Sequence, residues 1–225
     1  MISDYPCPSS GGEPRFEYAL AFEQGRAYRL LIVPALFEEA NRMRRLTVEV
    51  MRRLDAAAID SFLIDLPGCN ESLQPLDAET LESWRAAVAG AAEHFAATHV
   101  VGIRGGALVM PGHLPGWRYA PVNGANLLRQ MLRARIMASR EAGIAESQEG
   151  LLEAGLRDGL DLVGYGLGAE FLQQLQSATP PIAPNLSDIP QDMVGGGGLW
   201  LRAEPGEDRA QADALAAIVA VGIKA

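Results

Sequence analysis

The sequence is poor in the side chains that bind metals and form disulfides. It has three histidines, two cysteines and one lysine in 225 residues. The cysteines, Cys7 and Cys69, lie far apart and show no metal-binding spacing with a histidine, so neither a zinc site nor a disulfide framework is predicted. We therefore expect no metal, no cofactor and a reducing compartment, the cytoplasm.

Basic residues and long hydrophobic runs are also scarce. Lysine and arginine total 19 against 28 acidic residues, a net charge of −9, which predicts an acidic surface that nucleic acid and anionic lipid repel. The longest apolar runs, LLIVPALF and LAAIVAVGI, are far shorter than the roughly 20 residues of a membrane span. The N-terminus lacks the basic start and apolar stretch of a signal peptide. A soluble, unprocessed chain with no transmembrane segment and no nucleic-acid partner is expected.

What is present is an alternation of strands and helices. Residues 28–34, 60–65 and 98–102 are apolar runs of strand length, and helical patterns separate them. In the first helical pattern apolar residues recur at three- and four-residue spacing: Met43, Leu46, Val50 and Leu54. The second begins after Asp77, a candidate cap, and places Trp84 on its apolar face. The pattern predicts a mainly parallel α/β sheet flanked by helices.

The rest of the chain is less regular. Further predicted strands cover 117–122, 160–164 and 199–203, and further predicted helices cover 125–142 and 208–221. Residues 1–14, rich in Pro, Ser and Gly, are expected to form a loose arm. We expect a single domain over residues 1–225, in which 125–175 form a cap-like helical insertion.

One stretch, THVVGIRGGALVM at 98–110, has the pattern of a strand that passes through a glycine-rich turn into a helix. Hydrolases place a nucleophilic serine at the tip of such an elbow. Here the tip is Arg104. The helix after it should be short and end by about Pro111, which cannot continue a helix.

Several features together carry a resemblance to a known family. They are PALFEEANRMRR (34–45), DLPGCNES (65–72), Trp84, GIRGGAL (102–108), PVNG (121–124), the arginine-rich helix 125–142 and GYGLGAEF (164–171). In this order they resemble the exosortase A system-associated hydrolases, type two. The resemblance implies an α/β-hydrolase fold, shortened relative to longer relatives, an arginine at the elbow as a family feature, and a role beside bacterial exopolysaccharide production.

The elbow lacks the groups of a serine hydrolase. An arginine side chain stays protonated and has no lone pair with which to attack a carbonyl. The triad order of this fold puts the histidine base last in the chain, yet the only histidines are His94, His99 and His113. Ser72 is a further hydroxyl, but no base lies near it in the sequence. No Ser-His-Asp catalysis is predicted.

Two roles for Arg104 remain open. The loop after the first parallel strand faces the elbow in this layout and supplies Phe37, Glu38 and Glu39, so Arg104 can pair internally with one of the two glutamates. Alternatively Arg104, with the backbone at Gly105, receives an anionic group of a ligand. Phe37, Glu38 and Glu39 are then the other candidate ligand-binding residues.

These roles lead to three functional hypotheses. The first is a non-catalytic α/β-hydrolase-fold protein that binds an anionic glycan, acyl or lipid-linked ligand. The second is an ester or thioester hydrolase in which Glu38 or Glu39 acts with water as acid and base. The third is a protein-interaction module, such as a homodimer, in which the arginine-rich helix 125–142 docks an acidic surface.

Overall fold

The computed structural model describes residues 1–8 and 15–225. Nine strands are present in this part of the chain: β1 (Ile2–Cys7), β2 (Arg15–Phe22), β3 (Arg29–Val33), β4 (Asp60–Ile64), β5 (His99–Ile103), β6 (Gly116–Tyr119), β7 (Leu160–Leu162), β8 (Tyr165–Leu167) and β9 (Leu186–Ile189). Seven of them form one sheet in the order β1-β2-β4-β3-β5-β6-β9, and β7 and β8 form a separate hairpin.

The sheet is mainly parallel, as predicted. Strands β4, β3, β5, β6 and β9 pair in parallel, whereas β2 is antiparallel to both of its neighbours, β1 and β4. The carboxyl ends of five strands therefore meet at one edge, where ligand sites of open α/β sheets form.

Seven α-helices surround the sheet: α1 (Glu38–Ala56), α2 (Leu81–His94), α3 (Gly124–Glu141), α4 (Gln148–Asp158), α5 (Ala169–Ser177), α6 (Gln191–Val194) and α7 (Arg209–Lys224). The apolar stripe of α1 is buried as its spacing predicts. Among these described helices, none is long and apolar enough to cross a membrane.

Alternate residues of the strands point into two cores, one on each face of the sheet. Leu31 and Val33 of β3 belong to the core that holds Trp84 of α2 and much of α3 and α5. Leu30 and Ile32 belong to the opposite core, beneath α1 and α7. Burial on both faces explains why the parallel strands have continuous apolar sequences.

Four local predictions are wrong. Residues 2–7 form the edge strand β1 instead of a loose arm, because they pair residue by residue with β2, and residues 9–14 lie outside the described part. Residues 199–201 form a 3₁₀ turn and no strand. Only Leu160–Leu162 of the predicted strand 160–164 is extended, and it lies outside the main sheet. The cap of α2 is Thr80, in a capping box with Ser83, and not Asp77.

The stretch 125–175, for which a cap-like insertion is predicted, contains α3, α4, the β7–β8 hairpin and most of α5. These elements lie between β6 and β9 along the chain and outside the seven-stranded sheet. Leu127, Leu128 and Leu132 of α3 are nevertheless buried in the core that contains Trp84.

The elbow is a tight turn at the end of β5. Arg104–Leu108 form a single 3₁₀ segment, so the helix after the tip is even shorter than the sequence predicts and ends before Pro111. The turn presses against the end of β3. A Cβ atom on Gly106 would lie 2.2 Å from the carbonyl oxygen of Pro34 and 2.6 Å from that of Val33.

This close approach predicts that Gly106→Ala is destabilising. Two backbone carbonyls would have to move, and overpacking of a core of this kind costs about 1–3 kcal/mol or more. Gly197→Ala is the matched control, since a Cβ there meets nothing within 4 Å. Urea denaturation should show a lower midpoint for Gly106→Ala only; equal midpoints for the two variants would contradict the packing of the elbow on β3.

Candidate functional site

Three strained residues mark the carboxyl edge of the sheet. Phe37, Arg104 and Ala120 have φ angles of 57°, 52° and 43°, which residues other than glycine rarely adopt. They follow the ends of β3, β5 and β6, which are adjacent in the sheet. Backbone strain of this kind persists where the surroundings enforce it, and it clusters at functional sites.

Arg104 is an internal side chain that lies among these three turns. Its Nε and Nη2 donate to the two carboxylate oxygens of Glu39, each at 3.0 Å, and its Nη1 donates to the carbonyl oxygen of Ala120 at 2.7 Å. Only 7% of Arg104 and 6% of Glu39 is exposed. The fork-to-fork geometry is the strong form of this pair, and it satisfies both carboxylate oxygens.

Trp200 covers the face of the guanidinium. The guanidinium carbon Cζ of Arg104 lies 4.0 Å from the centre of the Trp200 ring, a cation–π contact. The backbone oxygen of Trp200 accepts from Nη1 of Arg42 at 2.9 Å, and Nη2 of Arg42 bonds to Glu38 at 2.5 Å. The two neighbouring glutamates thus have different partners: Glu39 pairs with the buried Arg104, and Glu38 pairs with Arg42 at the surface.

Trp200 and Ala120 are site residues that the sequence does not reveal. Trp200 comes from a glycine-rich loop far along the chain, in a stretch predicted as a strand. Ala120 contributes through its backbone carbonyl, which no side-chain pattern reports. A tryptophan two residues after the GGGG run at 195–198 is the only hint in the sequence that the loop carries a packing residue.

The histidines lie at the opposite edge of the sheet. His99 is the first residue of β5, about 13 Å along the strand from its end at a rise of about 3.3 Å per residue. His94 is the last residue of α2, which leads into the same edge, and His113 lies three residues before the start of β6. No histidine of the chain is therefore beside Arg104.

Ser72 is held as a structural hydroxyl. Its Oγ donates to a carboxylate oxygen of the buried Glu17 at 2.9 Å and accepts from the backbone N–H groups of Gly68 and Gln74 at 2.8 and 3.1 Å. These contacts tie the loop after β4 to β2.

A cleft of about 480 Å³ opens next to the Arg104–Glu39 pair. Its walls come from α1 and the loop before it, from α3, from the β7–β8 hairpin and from the Trp200 turn. The lining is mostly apolar: Leu36, Phe37, Glu38, Glu39, Arg42, Leu127, Gln130, Met131, Ala134, Leu162, Val163, Tyr165, Trp200 and Leu201. This volume lies within the range of small-molecule sites, about 300–1,000 Å³.

Two tyrosines near Arg104 and the cleft have raised pKa values because they are buried. Burial raises the pKa of Tyr119 to about 12, although the nearby Arg104 charge acts in the opposite direction. The Tyr119 hydroxyl donates to Gln191 at 2.5 Å. Burial also raises the pKa of Tyr165, which lines the cleft, so both phenols are neutral at physiological pH.

Comparison with solved structures identifies the fold. Mouse alpha/beta hydrolase domain-containing protein 10 superposes over 99% of this chain and 98% of its own, with a TM-score of 0.59 and 14% identity. DcsB, solved in complex with its substrate analogue, matches over the whole of both chains at a TM-score of 0.58 and 10% identity. The chain has the α/β-hydrolase fold. No protein-family model and no curated protein matches the sequence.

The α/β-hydrolase fold shows which hydrolase positions the elbow residues occupy. In α/β-hydrolases the residue at the elbow tip is the nucleophile, and the next backbone N–H helps to bind the oxyanion. Arg104 occupies the first position and Gly105 the second. A Cβ on Gly105 would lie 2.6 Å from Leu127 and 3.0 Å from Leu36, so these two leucines pack against the α-carbon of Gly105.

The internal pair predicts a specific pattern of stability. Arg104→Met leaves the buried Glu39 carboxylate without its partner, and Glu39→Leu leaves the guanidinium without its own; each should lower the free energy of unfolding by about 3–5 kcal/mol. The double variant Arg104→Met/Glu39→Leu removes both charges and should recover most of the loss, as apolar replacement of buried pairs does. Urea denaturation of the four proteins gives the coupling energy.

A different pattern would contradict the internal role. If Arg104→Met unfolds like the unmodified protein and only the affinity for an anion such as inorganic phosphate falls, Arg104 is a receptor.

Proposed function

We propose that the protein is a non-catalytic member of the α/β-hydrolase fold that binds an acyl or lipid-linked ligand in the cleft beside Arg104. The observation that carries the proposal is the bidentate Arg104–Glu39 pair at the position of the nucleophile. It replaces the attacking hydroxyl by a buried, charge-neutralised structural group.

The lack of a histidine near Arg104 supports the proposal that the protein is non-catalytic. Nucleophilic catalysis in this fold needs a hydroxyl, a histidine within hydrogen-bond reach and an oxyanion hole. The three histidines lie at the far edge of the sheet, away from Arg104.

The lining of the cleft supports the ligand class. Aliphatic and aromatic side chains dominate it, and Arg42, the one cation among its lining residues, is already paired with Glu38. Apolar walls with a few polar groups suit a hydrocarbon chain whose polar end remains at the opening. An anionic glycan would leave most of this surface without polar partners, so we favour the acyl chain.

The setting of the protein rests on the resemblance of its motifs to the exosortase A system-associated hydrolases, type two. On that basis we propose a role in the bacterial cytoplasm, beside exopolysaccharide production, in which the protein holds an acyl or lipid-linked intermediate. The resemblance concerns the motifs; the ligand class is argued from the cleft.

The two alternative functions have less support. A carboxylate-assisted hydrolase would use Glu38 or Glu39, yet both oxygens of Glu39 accept from Arg104 and Glu38 is bonded to Arg42. An interaction module, including a homodimer, would use the arginines of α3. One of them, Arg135, is engaged by Glu146 in a bidentate pair at 3.0 Å.

The non-catalytic proposal predicts the outcome of active-site labelling. The purified protein should not react stoichiometrically with a serine-directed fluorophosphonate and should show no burst of acyl-enzyme. Arg104→Ser should remain unlabelled, because the base is still missing. The measurement is mass spectrometry of the treated proteins. Complete labelling of one serine in the protein without substitutions would contradict the proposal and indicate an active serine hydrolase.

The cleft predicts saturable binding of acyl chains. Decanoate and its neutral methyl ester should both raise the melting temperature, since a ligand at a hundred times its Kd stabilises the fold by about 2.7 kcal/mol. Ala134→Trp should abolish the shift, because Ala134 lines the cleft. Ala138→Trp, one helical turn further along α3 at an exposed position, is the matched control and should keep the shift.

The same titration separates the alternatives. A shift that occurs with the acid but not with the ester would point to an anion receptor, and no shift with either compound would contradict the proposed ligand class. Turnover of the ester by the unmodified protein that Glu39→Gln abolishes would support the carboxylate hydrolase.

A further inference from the structure

Three large apolar side chains are exposed to solvent at the rim of the cleft. Leu201 is 75% exposed, Met137 66% and Val163 48%. Leu201 and Val163 line the cleft itself. Met137 follows the lining residue Ala134 by three positions on α3, so it extends the same face of that helix. Single exposed apolar residues need no explanation, but a group of them at one opening indicates a surface that contacts an apolar partner.

Val163 adopts a backbone conformation that valine avoids. Val163 and Gly164 are the two residues between the paired Leu162 and Tyr165 at the tip of the β7–β8 hairpin, and their φ angles are 57° and 88°. Hairpin turns with positive φ at both positions favour asparagine or aspartate followed by glycine. A β-branched residue with positive φ is an outlier. The turn therefore carries an exposed apolar side chain although asparagine would fit its backbone better, which points to a role for that side chain.

Arginines flank this apolar rim on α3. The helix contains four arginines and one acidic residue, Glu141, at its end. Arg133 lies four residues before Met137 and Arg140 three residues after it, so both are neighbours of Met137 on the exposed surface of the helix. Of the four arginines, only Arg135 forms an ion pair within the described part of the chain. The others give this surface a local positive charge on a protein whose net charge is −9.

We call these five residues the rim surface: Arg133, Met137, Arg140, Val163 and Leu201. Apolar side chains beside arginines suit the interface of an anionic bilayer, where the former enter the boundary of the acyl chains and the latter contact phosphate headgroups. The acidic side chains of the cleft do not oppose such contact, because both are already paired with arginines. Acidic groups elsewhere on the protein act weakly there, since the Debye length is about 8 Å at physiological ionic strength.

We propose that the rim surface docks on an anionic lipid bilayer, with the cleft open towards the membrane. A lipid-linked ligand is held in a bilayer by its apolar part, so a cleft that receives it has to meet the bilayer surface. Leu201 and Val163 belong both to the cleft and to the rim surface, and docking therefore places the opening of the cleft at the acyl chains. This inference rests on the proposed function and names the place at which the ligand enters.

Sedimentation with lipid vesicles is the test. The unmodified protein should bind vesicles of phosphatidylcholine and phosphatidylglycerol in equal amounts at least tenfold more tightly than vesicles of phosphatidylcholine alone. Because arginines contribute to this contact, the preference for the mixed vesicles should fall as salt is added.

The contribution of the arginines has a matched control. Arg133→Gln/Arg140→Gln should weaken binding to the mixed vesicles at least tenfold. Arg52→Gln/Arg209→Gln makes the same change of charge on α1 and α7, which cover the opposite face of the sheet, and should keep the affinity. Decanoate should still raise the melting temperature of Arg133→Gln/Arg140→Gln, because neither arginine lines the cleft.

Val163→Asn separates docking from stability. Asparagine fits the positive φ of the turn, so this variant should have the same urea midpoint as the unmodified protein or a higher one. It should nevertheless bind the mixed vesicles severalfold more weakly, because an apolar contact is lost. Val221→Asn makes the same change at an exposed position of α7 and should keep the vesicle affinity.

The outcomes distinguish the two proposals. If decanoate binds but the protein does not prefer the mixed vesicles, or if Arg133→Gln/Arg140→Gln sediments like its control, the docking surface is contradicted while the proposed function stands. If decanoate does not bind the unmodified protein, the proposed function fails even where the mixed vesicles are bound. A concentration-dependent dimer that Arg133→Gln/Arg140→Gln dissociates would overturn the bilayer as the partner and indicate a second copy of the chain.

Discussion

The carboxyl edge of the sheet depends on one buried ion pair. Arg104 and Glu39 come from turns after different strands, and their bidentate contact fixes the distance between the ends of β5 and β3. The third contact of Arg104, to the carbonyl of Ala120, adds the end of β6. A buried ion pair of this kind adds little stability compared with apolar residues of similar size in its place. Removing only one partner is nevertheless strongly destabilising, because it leaves a buried charge without its partner. It therefore acts mainly as a constraint on geometry.

The cleft follows from that constraint. Glu39 belongs to the first turn of α1, so the pair also places α1 and the loop before it, which carry Leu36 and Phe37. Trp200 packs on the guanidinium and closes the opposite side. At the position of the hydrolase nucleophile this chain has a neutralised ion pair beside a mostly apolar cleft, and this arrangement supports the proposal of ligand binding.

Much of this arrangement is predictable from the sequence. The order of strands and helices in the first half is local information, since buried parallel strands and the stripe of α1 are visible in the residue pattern. The internal pairing of Arg104 with Glu38 or Glu39 is predictable from charge alone, because a buried guanidinium requires a carboxylate. The sequence did not distinguish the two glutamates; α1 begins at Glu38, which places Glu39 inward and Glu38 at the surface.

The wrong predictions of local structure have a common physical cause. The strand at 2–7 and the turn at 199–201 are set by tertiary contacts: the first by pairing with β2, the second by packing of Trp200 on Arg104. A Pro-rich segment such as 1–8 has weak local preference for a strand, and the edge of a sheet tolerates its prolines.

The Arg104 guanidinium is bonded within the protein and is interpreted as an internal structural group. Nuclear magnetic resonance of the arginine Nε–H groups, assigned with an Arg104→Met variant, tests it directly. We expect one slowly exchanging Nε–H signal for Arg104 that does not shift when inorganic phosphate or acetate is added. Rapid exchange of that proton with water, together with a saturable shift on addition of either anion, would contradict it.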